Sequence, residues 1–263
     1  MQAAIELSEV QPSEEVYLTY QIGMVGIDGV LLASDTKCTR PGGVRGAFRS
    51  SSNQPKIRVE ENENAAYCWS GDDLCEDAAR IFCVQPGDLL SDSQIHNRLV
   101  ESAQKAIADE GIAKRSPALQ GGAVLFAFRL LRGSSQLWYL NLDLSAGGRS
   151  PKAQPVFTYL TTGDFHNAAG FFLERYFPKR RKVPIQDLVP LAAHTVLQAG
   201  ELNNAGVGGL EIVRCTSAGF EKVSEDEISV LTDRSEKLDA EISVSLKLSG
   251  KRSVAAWRRW LWR

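Results

Sequence analysis

Thr19-Tyr20-Gln21-Ile22-Gly23-Met24-Val25-Gly26-Ile27-Asp28-Gly29-Val30-Leu31-Leu32-Ala33-Ser34-Asp35-Thr36-Lys37 is the stretch that decides the fold. Tyr20 to Ile27 reads as a strand, Asp28-Gly29 as a tight turn, and Val30 to Ala33 as the return strand. Asp-Gly between two apolar runs is a strong hairpin signal, because both positions of such a turn favour positive φ.

Upstream, residues 1–18 are polar, acidic and interrupted by Pro12, and read as unstructured. Met1 to Glu15 carries four glutamates and no basic residue, the opposite of a secretory signal with its basic start and apolar run. Downstream, a Gly-, Ser-, Arg- and Pro-rich loop runs from Thr39 to Pro55. Lys56-Ile57-Arg58-Val59 and Ala65–Ser70 then read as a second strand pair. Gly71-Asp72-Asp73 opens a helix through Ile81, with acidic residues in its first turn opposing the helix dipole. Ile95, Leu99, Ala103 and Ile107 give one apolar face to a helix from Ser93 to Glu110, stopping at Gly111.

Strands are predicted over Gly122–Leu131, Leu137–Leu144 and Val156–Thr161. Helices follow over Phe165–Tyr176 and Ile185–Ala199, then a hairpin of Leu210–Cys215 and Phe220–Val223, and a helix over Glu225–Leu238. Grouped strands alternating with grouped helices imply stacked layers: an α+β fold with two antiparallel sheets covered by helix pairs. The reading divides the chain into a leader, 1–18, one domain, 19–250, and a tail, 251–263.

Composition narrows the function classes. With 43% apolar and 24% charged residues, the 263-residue chain can bury a full core without staples. Five cysteines, at 38, 68, 75, 83 and 215, form no CxxC pair, so neither a disulfide framework nor a zinc ribbon is expected. They read as reduced core thiols of a cytoplasmic protein, with Cys75 and Cys83 on one buried helix face. No apolar run is long enough to span a membrane. The net charge is −2, and removing the five basic residues of 251–263 leaves −7 on the first 250 residues. Such an acidic body does not suit nucleic-acid binding. His96 and His194 read as surface or packing residues, and His166 has no second ligand at metal spacing. Neither a metal nor another cofactor is expected.

Thr19–Lys37 resembles the opening of proteasome-type subunits. In that family a strand starting at a nucleophilic threonine turns at a glycine and returns to an aspartate sixteen residues on, the spacing from Thr19 to Asp35. Lys56-Ile57-Arg58-Val59 with Cys68-Trp69-Ser70-Gly71-Asp72 resembles the family's lysine strand and the start of its first helix. Thr161-Thr162-Gly163 resembles its Gly-Ser-Gly turn, and Gly208-Gly209 the start of a late strand. The four blocks fall in order over about four fifths of the chain.

The resemblance implies an αββα sandwich of the N-terminal-nucleophile hydrolase class, and amide hydrolysis through an ester on a threonine hydroxyl. On it, Thr19 is the nucleophile and Lys56 the ammonium beside it. Asp35 is the buried partner of Lys56. Gly71 supplies an oxyanion N–H, and Thr162 replaces the family's serine. Asn204 and Val207 stand where the family has aspartate and serine, so the implied site departs from the pattern there. The base in this class is the free α-amino group, so Thr19 must become the first residue. Autolysis at Leu18–Thr19 is one route. In a bacterial gene, translation starting at a TTG or CTG codon for Leu18 is another, with Glu14-Glu15-Val16 encoding a ribosome-binding sequence.

The implied function is that of a peptidase subunit in a self-compartmentalising ring, acting on peptides or unfolded protein, with an ATP-dependent unfoldase as a possible partner. A catalytically silent ring subunit and a stand-alone amidase of the same fold stay open. The tail, with Trp257, Trp260 and Trp262 among its five basic residues, lies beyond the resemblance. It suits docking on the subunit or a ring neighbour, or contact with an acidic membrane surface.

Overall fold

The computed structural model describes residues 19–40, 50–60, 64–71, 73–84, 91–114, 122–130, 133–142, 150–164, 168–177, 183–203 and 206–245. The leader, the tail, His166 and Asn204 lie outside them.

The Thr19–Lys37 stretch forms β1 (Tyr20–Val25) and β2 (Gly29–Ser34), an antiparallel hairpin pairing Gln21 with Ser34 and Val25 with Val30. The hairpin sits at the centre of a five-stranded sheet together with β10 (Tyr159–Gly163), β11 (Glu211–Thr216) and β12 (Gly219–Lys222), in the order β10-β1-β2-β11-β12. A second sheet holds β5 (Ile57–Glu60), β6 (Ala65–Gly71), β7 (Gly122–Arg129), β8 (Ser135–Asn141) and β9 (Lys152–Val156) in sequence order.

Period-two alternation sorts the side chains. Tyr20, Ile22, Met24, Leu31 and Ala33 face one way, into a core beneath α3 (Ala169–Tyr176), α4 (Ile185–Leu202) and α5 (Glu225–Ser245). Val30, Leu32, Val213 and Cys215 face the other way and meet Ile57, Cys68, Leu125, Ala127 and Leu137 of the second sheet. On that sheet's far side, Tyr67, Phe126, Phe128 and Trp138 pack under α1 (Asp73–Val84) and α2 (Asp92–Lys114), with Cys75 and Cys83 buried among them. Burial of both faces is why β1 and β2 read as nearly unbroken apolar runs. The architecture is the expected four-layer αββα sandwich.

Several local expectations need correction. Neither Asp28 nor Gly29 has positive φ. Gly26 N–H bonds the Gly29 carbonyl at 2.9 Å, which centres the turn on Ile27-Asp28. Gly29 is required by crowding instead, since a Cβ there would lie 2.3 Å from the Cys215 carbonyl oxygen. The Asp28 carboxylate accepts the Ile185 N–H at 2.8 Å. It thereby caps α4 from the hairpin, where Pro184 has no side-chain acceptor to offer.

The single strand predicted over Val156–Thr161 is two strands, and the turn at Phe157-Thr158 carries the chain from the second sheet to the first. Pro155 is tolerated because β9 is an edge strand. The predicted Thr39–Pro55 loop contains a two-stranded ribbon, β3 (Lys37–Arg40) with β4 (Ser50–Asn53). α2 continues past Gly111, a glycine cost of about 1 kcal/mol that does not end the helix. The first sheet carries three helices rather than two.

Gly29→Ala is expected to destabilise the fold by about 1–3 kcal/mol, because the added methyl meets backbone. Gly170→Ala, where the new Cβ meets only the Tyr20 hydroxyl at 3.6 Å, should be neutral or gain up to about 1 kcal/mol from helix propensity. Urea midpoints of the two variants measure the contrast.

Candidate active site

The hairpin register brings the start of β1 beside the end of β2. Tyr20 N–H donates to Asp35 Oδ1 at 2.9 Å, and Asp35 N–H to the Tyr20 carbonyl at 3.1 Å. Thr19 and Asp35, sixteen apart in sequence, thereby become neighbours. Lys56 enters from the other sheet, one residue before the edge strand β5. Its Nζ donates to Thr19 Oγ1 and to Asp35 Oδ2, each at 2.9 Å. Asp35 is fully buried, and Thr19 and Lys56 are 7% and 9% exposed.

Burial pushes the Asp35 carboxyl up from the ordinary aspartate value. The Lys56 ammonium and the backbone N–H groups of Tyr20 and Gly208 oppose the rise without cancelling it. With donors on both carboxylate oxygens, the ionised pair leaves neither oxygen unsatisfied. The same burial pushes the Cys68 thiol up. The nearby Glu211 adds to the shift, and Lys56 opposes it, so Cys68 is a packed thiol rather than a nucleophile.

Gly71 closes β6 with φ +109°, two residues ahead of α1. Gln21, on the inter-sheet face two residues after Thr19, donates Nε2 to the Trp69 carbonyl at 2.6 Å. This ties the β6 end that carries Gly71 to the start of β1. Thr162 lies opposite Gln21 on β10, and its hydroxyl donates to Gln21 Oε1 at 3.0 Å. The fully buried Gln21 thus takes the Thr162 hydroxyl. Val207 is 1% exposed within the helix-side core, so a packing residue stands where a serine was implied. Asn204 lies outside the described residues.

Sequence reasoning passed over four residues of this neighbourhood. Asp164 N–H donates to the Thr19 carbonyl at 2.8 Å, and its carboxylate accepts from Asn203 Nδ2 at 2.9 Å. Glu211, 4% exposed, accepts the backbone N–H of Lys56. Gln21 is the fourth. Gln21 and Glu211 had a visible signal, each being a polar residue on the buried parity of an apolar strand. Asp164 and Asn203 had none.

Among the described residues no group of His, Cys, Asp and Glu side chains has metal-holding geometry, and no helix is long and apolar enough to cross a membrane. An ammonium in contact with a hydroxyl can hold the alkoxide formed from it. A protonated lysine is not itself a base, and the Thr19 nitrogen becomes one only when the Leu18–Thr19 bond is cut.

No known family profile matches the chain, and no curated protein does. Solved structures do. An Anbu (Gly-1) mutant from Hyphomicrobium sp. strain MC1 aligns with TM-score 0.64 at 12% identity, covering 90% of this chain and 100% of that one. Anbu (ancestral beta-subunit) from Yersinia bercovieri gives 0.64 at 13%, covering 89% and 99%. The helical assembly of the Anbu complex from Pseudomonas aeruginosa gives 0.65 at 14%, covering 90% and 99%. These identities carry the fold. They correct the assignment of the chain to the bacterial proteasome-type family, for which neither a profile nor a curated relative stands. What holds is an Anbu-like αββα sandwich.

Lys56→Ala is expected to cost about 3–5 kcal/mol, because it leaves Asp35 buried without its ion partner. The deficit should depend on pH. Losing the ammonium raises the folded-state carboxyl further above the unfolded aspartate near 3.8. A raised carboxyl carries its full share of stability below the unfolded value and loses it as pH rises. The gap to wild type is therefore widest at neutral pH and narrows toward pH 4, as chemical denaturation across that range would measure.

Proposed function

We propose that the chain is a threonine-type N-terminal-nucleophile hydrolase that cleaves peptide bonds in peptides or unfolded protein. The observation that carries this reading is the 2.9 Å contact of Lys56 Nζ with both Thr19 Oγ1 and Asp35 Oδ2 in a buried setting at a strand start.

Once Thr19 is the first residue, its neutral α-amino group takes the hydroxyl proton as Oγ1 attacks the scissile carbonyl carbon. Lys56 holds the developing negative charge on Oγ1, and Asp35 pairs with Lys56 and keeps it aimed. The carbonyl oxygen becomes an oxyanion, for which the Gly71 N–H is the assigned donor. Collapse breaks the C–N bond, and the leaving amine takes the proton from the α-ammonium. This leaves an ester on Thr19. Water then attacks the ester, the α-amino group again relays the proton, and the carboxylic acid and free Thr19 are released. Thr162 acts through Gln21, and Asn204 is assigned a supporting hydrogen-bonding role.

The likeness to a protein described as a helical assembly supports self-association, with the active sites enclosed in a ring or stacked array. An ATP-dependent unfoldase would then feed the chamber. A catalytically silent subunit is the competing reading, favoured by the packed Val207 and by the amide that Thr19 carries in the 263-residue chain.

A chain produced with Thr19 as its N-terminus should hydrolyse unstructured peptides, and its Thr19→Ala counterpart should lose at least about 1,000-fold in kcat while assembling normally. Equal turnover by the two would sink the threonine mechanism. Intact mass of natively expressed protein adds a second check, with loss of residues 1–18 as the expected result.

A further inference from the structure

Glu211 is the first residue of β11 and shares the parity of Val213 and Cys215, so its side chain points into the apolar layer between the sheets. A carboxylate does not occupy that layer without partners. Its Oε2 accepts two successive backbone N–H groups of the opposite sheet, Lys56 at 2.9 Å and Ile57 at 3.1 Å. Its Oε1 accepts Lys222 Nζ of β12 at 2.8 Å. The Lys222 side chain is 54% exposed and that of Glu211 only 3%, so charge is neutralised from the solvent side while the clasp itself stays dry.

Lys56 needs such a clasp. It precedes β5, the edge strand of its sheet, and Ile57 is the first residue to pair with β6. The β6 ladder therefore holds the residue after Lys56 and not Lys56 itself. Its ammonium must nonetheless reach two oxygens of the first sheet. Glu211 comes from that same first sheet, where it pairs with Ser34, the residue before Asp35. Two neighbouring strands of one sheet thus carry, side by side, the carboxylate that receives the ammonium and the carboxylate that receives the backbone.

We propose that Glu211 is a positioning residue for the site: it clasps the Lys56–Ile57 backbone so that Lys56 Nζ meets Thr19 Oγ1 and Asp35 Oδ2 together. The role of Lys56 in it rests on the hydrolase reading above; the clasp does not. Lys222 supplies the counter-charge to the clasp from the solvent side.

The variants are Glu211→Ala, which removes the acceptor, and Glu211→Gln, whose amide oxygen can still accept both N–H groups. Each is made in the chain beginning at Thr19 and followed in two ways. The first is the NMR signal of the Lys56 side chain in lysine-labelled protein, assigned by its absence in Lys56→Arg. The second is kcat against KM for peptide hydrolysis. In Glu211→Ala the Lys56 signal should move toward that of a solvated lysine, and kcat should fall about 100-fold with KM little changed, as expected for a group displaced by about 1 Å. Glu211→Gln should recover most of both. A Lys56 signal unmoved in Glu211→Ala overturns the proposal. So does a Glu211→Gln variant that behaves like Glu211→Ala, because charge rather than the clasp would then be at work. Should Glu211→Ala fail to fold, Glu211→Gln alone decides: a wild-type Lys56 signal supports the clasp, and a shifted one removes it. If the wild type cleaves nothing, the hydrolase reading fails, while the lysine signal still settles the clasp.

Discussion

The ion pair between Asp35 and Lys56 joins two sheets whose shared layer is built largely of apolar side chains. Val30, Leu32, Val213, Ile57, Cys68, Leu125 and Leu137 exclude water between the layers, but contacts of that kind are nearly indifferent to small sliding of one sheet on the other. A buried carboxylate with donors on both oxygens is not indifferent, because displacing the ammonium leaves a charge stranded in a dry interior. Polar ties at one end of the sandwich repeat this demand. Lys56 reaches Asp35 and Thr19, Glu211 reaches the Lys56 and Ile57 amides, and Gln21 reaches the Trp69 carbonyl. The apolar layer supplies the bulk of the adhesion, and these ties supply the register.

That division of labour explains what could be read from the sequence. The hairpin from Tyr20 to Ser34 and the alternation of the later strands are local signals, and the layered class follows from their order. Thr19 and Asp35 were singled out through the resemblance, and the antiparallel hairpin turns their sixteen-residue interval into proximity, with Tyr20 N–H on Asp35. Lys56 was legible only through its place in an ordered set of blocks, since nothing local says which sheet its side chain will cross to. Glu211 and Gln21 were passed over although each is a polar residue in a buried strand, because their partners lie 155 and 48 residues away and no local pattern names them. The switch of sheets at Phe157-Thr158 was missed for a related reason: periodicity reports which face a residue presents, not which sheet its strand joins.

The carboxylate implied near the nucleophile at position 204 is an asparagine in this sequence. At the corner after β10 the Asp164 backbone N–H holds the Thr19 carbonyl, while the Asp164 carboxylate accepts from Asn203. The implied pattern is departed from at two positions, Asn204 and Val207, while the contacts among Thr19, Asp35 and Lys56 involve neither.

The anchoring of Thr19 bears on how the site would mature. Its hydroxyl is held by Lys56, its carbonyl by Asp164 N–H, and the following amide, Tyr20 N–H, by Asp35. Gly163 seals the contact on the carbonyl side, where a Cβ would fall 1.8 Å from the Thr19 oxygen and no other residue would fit. None of these contacts uses an atom before Thr19. Breaking the Leu18–Thr19 bond would thus leave every one of them in place and convert an amide nitrogen, which cannot accept a proton, into an amine that can. On the proposed hydrolase reading, removal of residues 1–18 would add the base while leaving these contacts of Thr19 and Tyr20 unbroken.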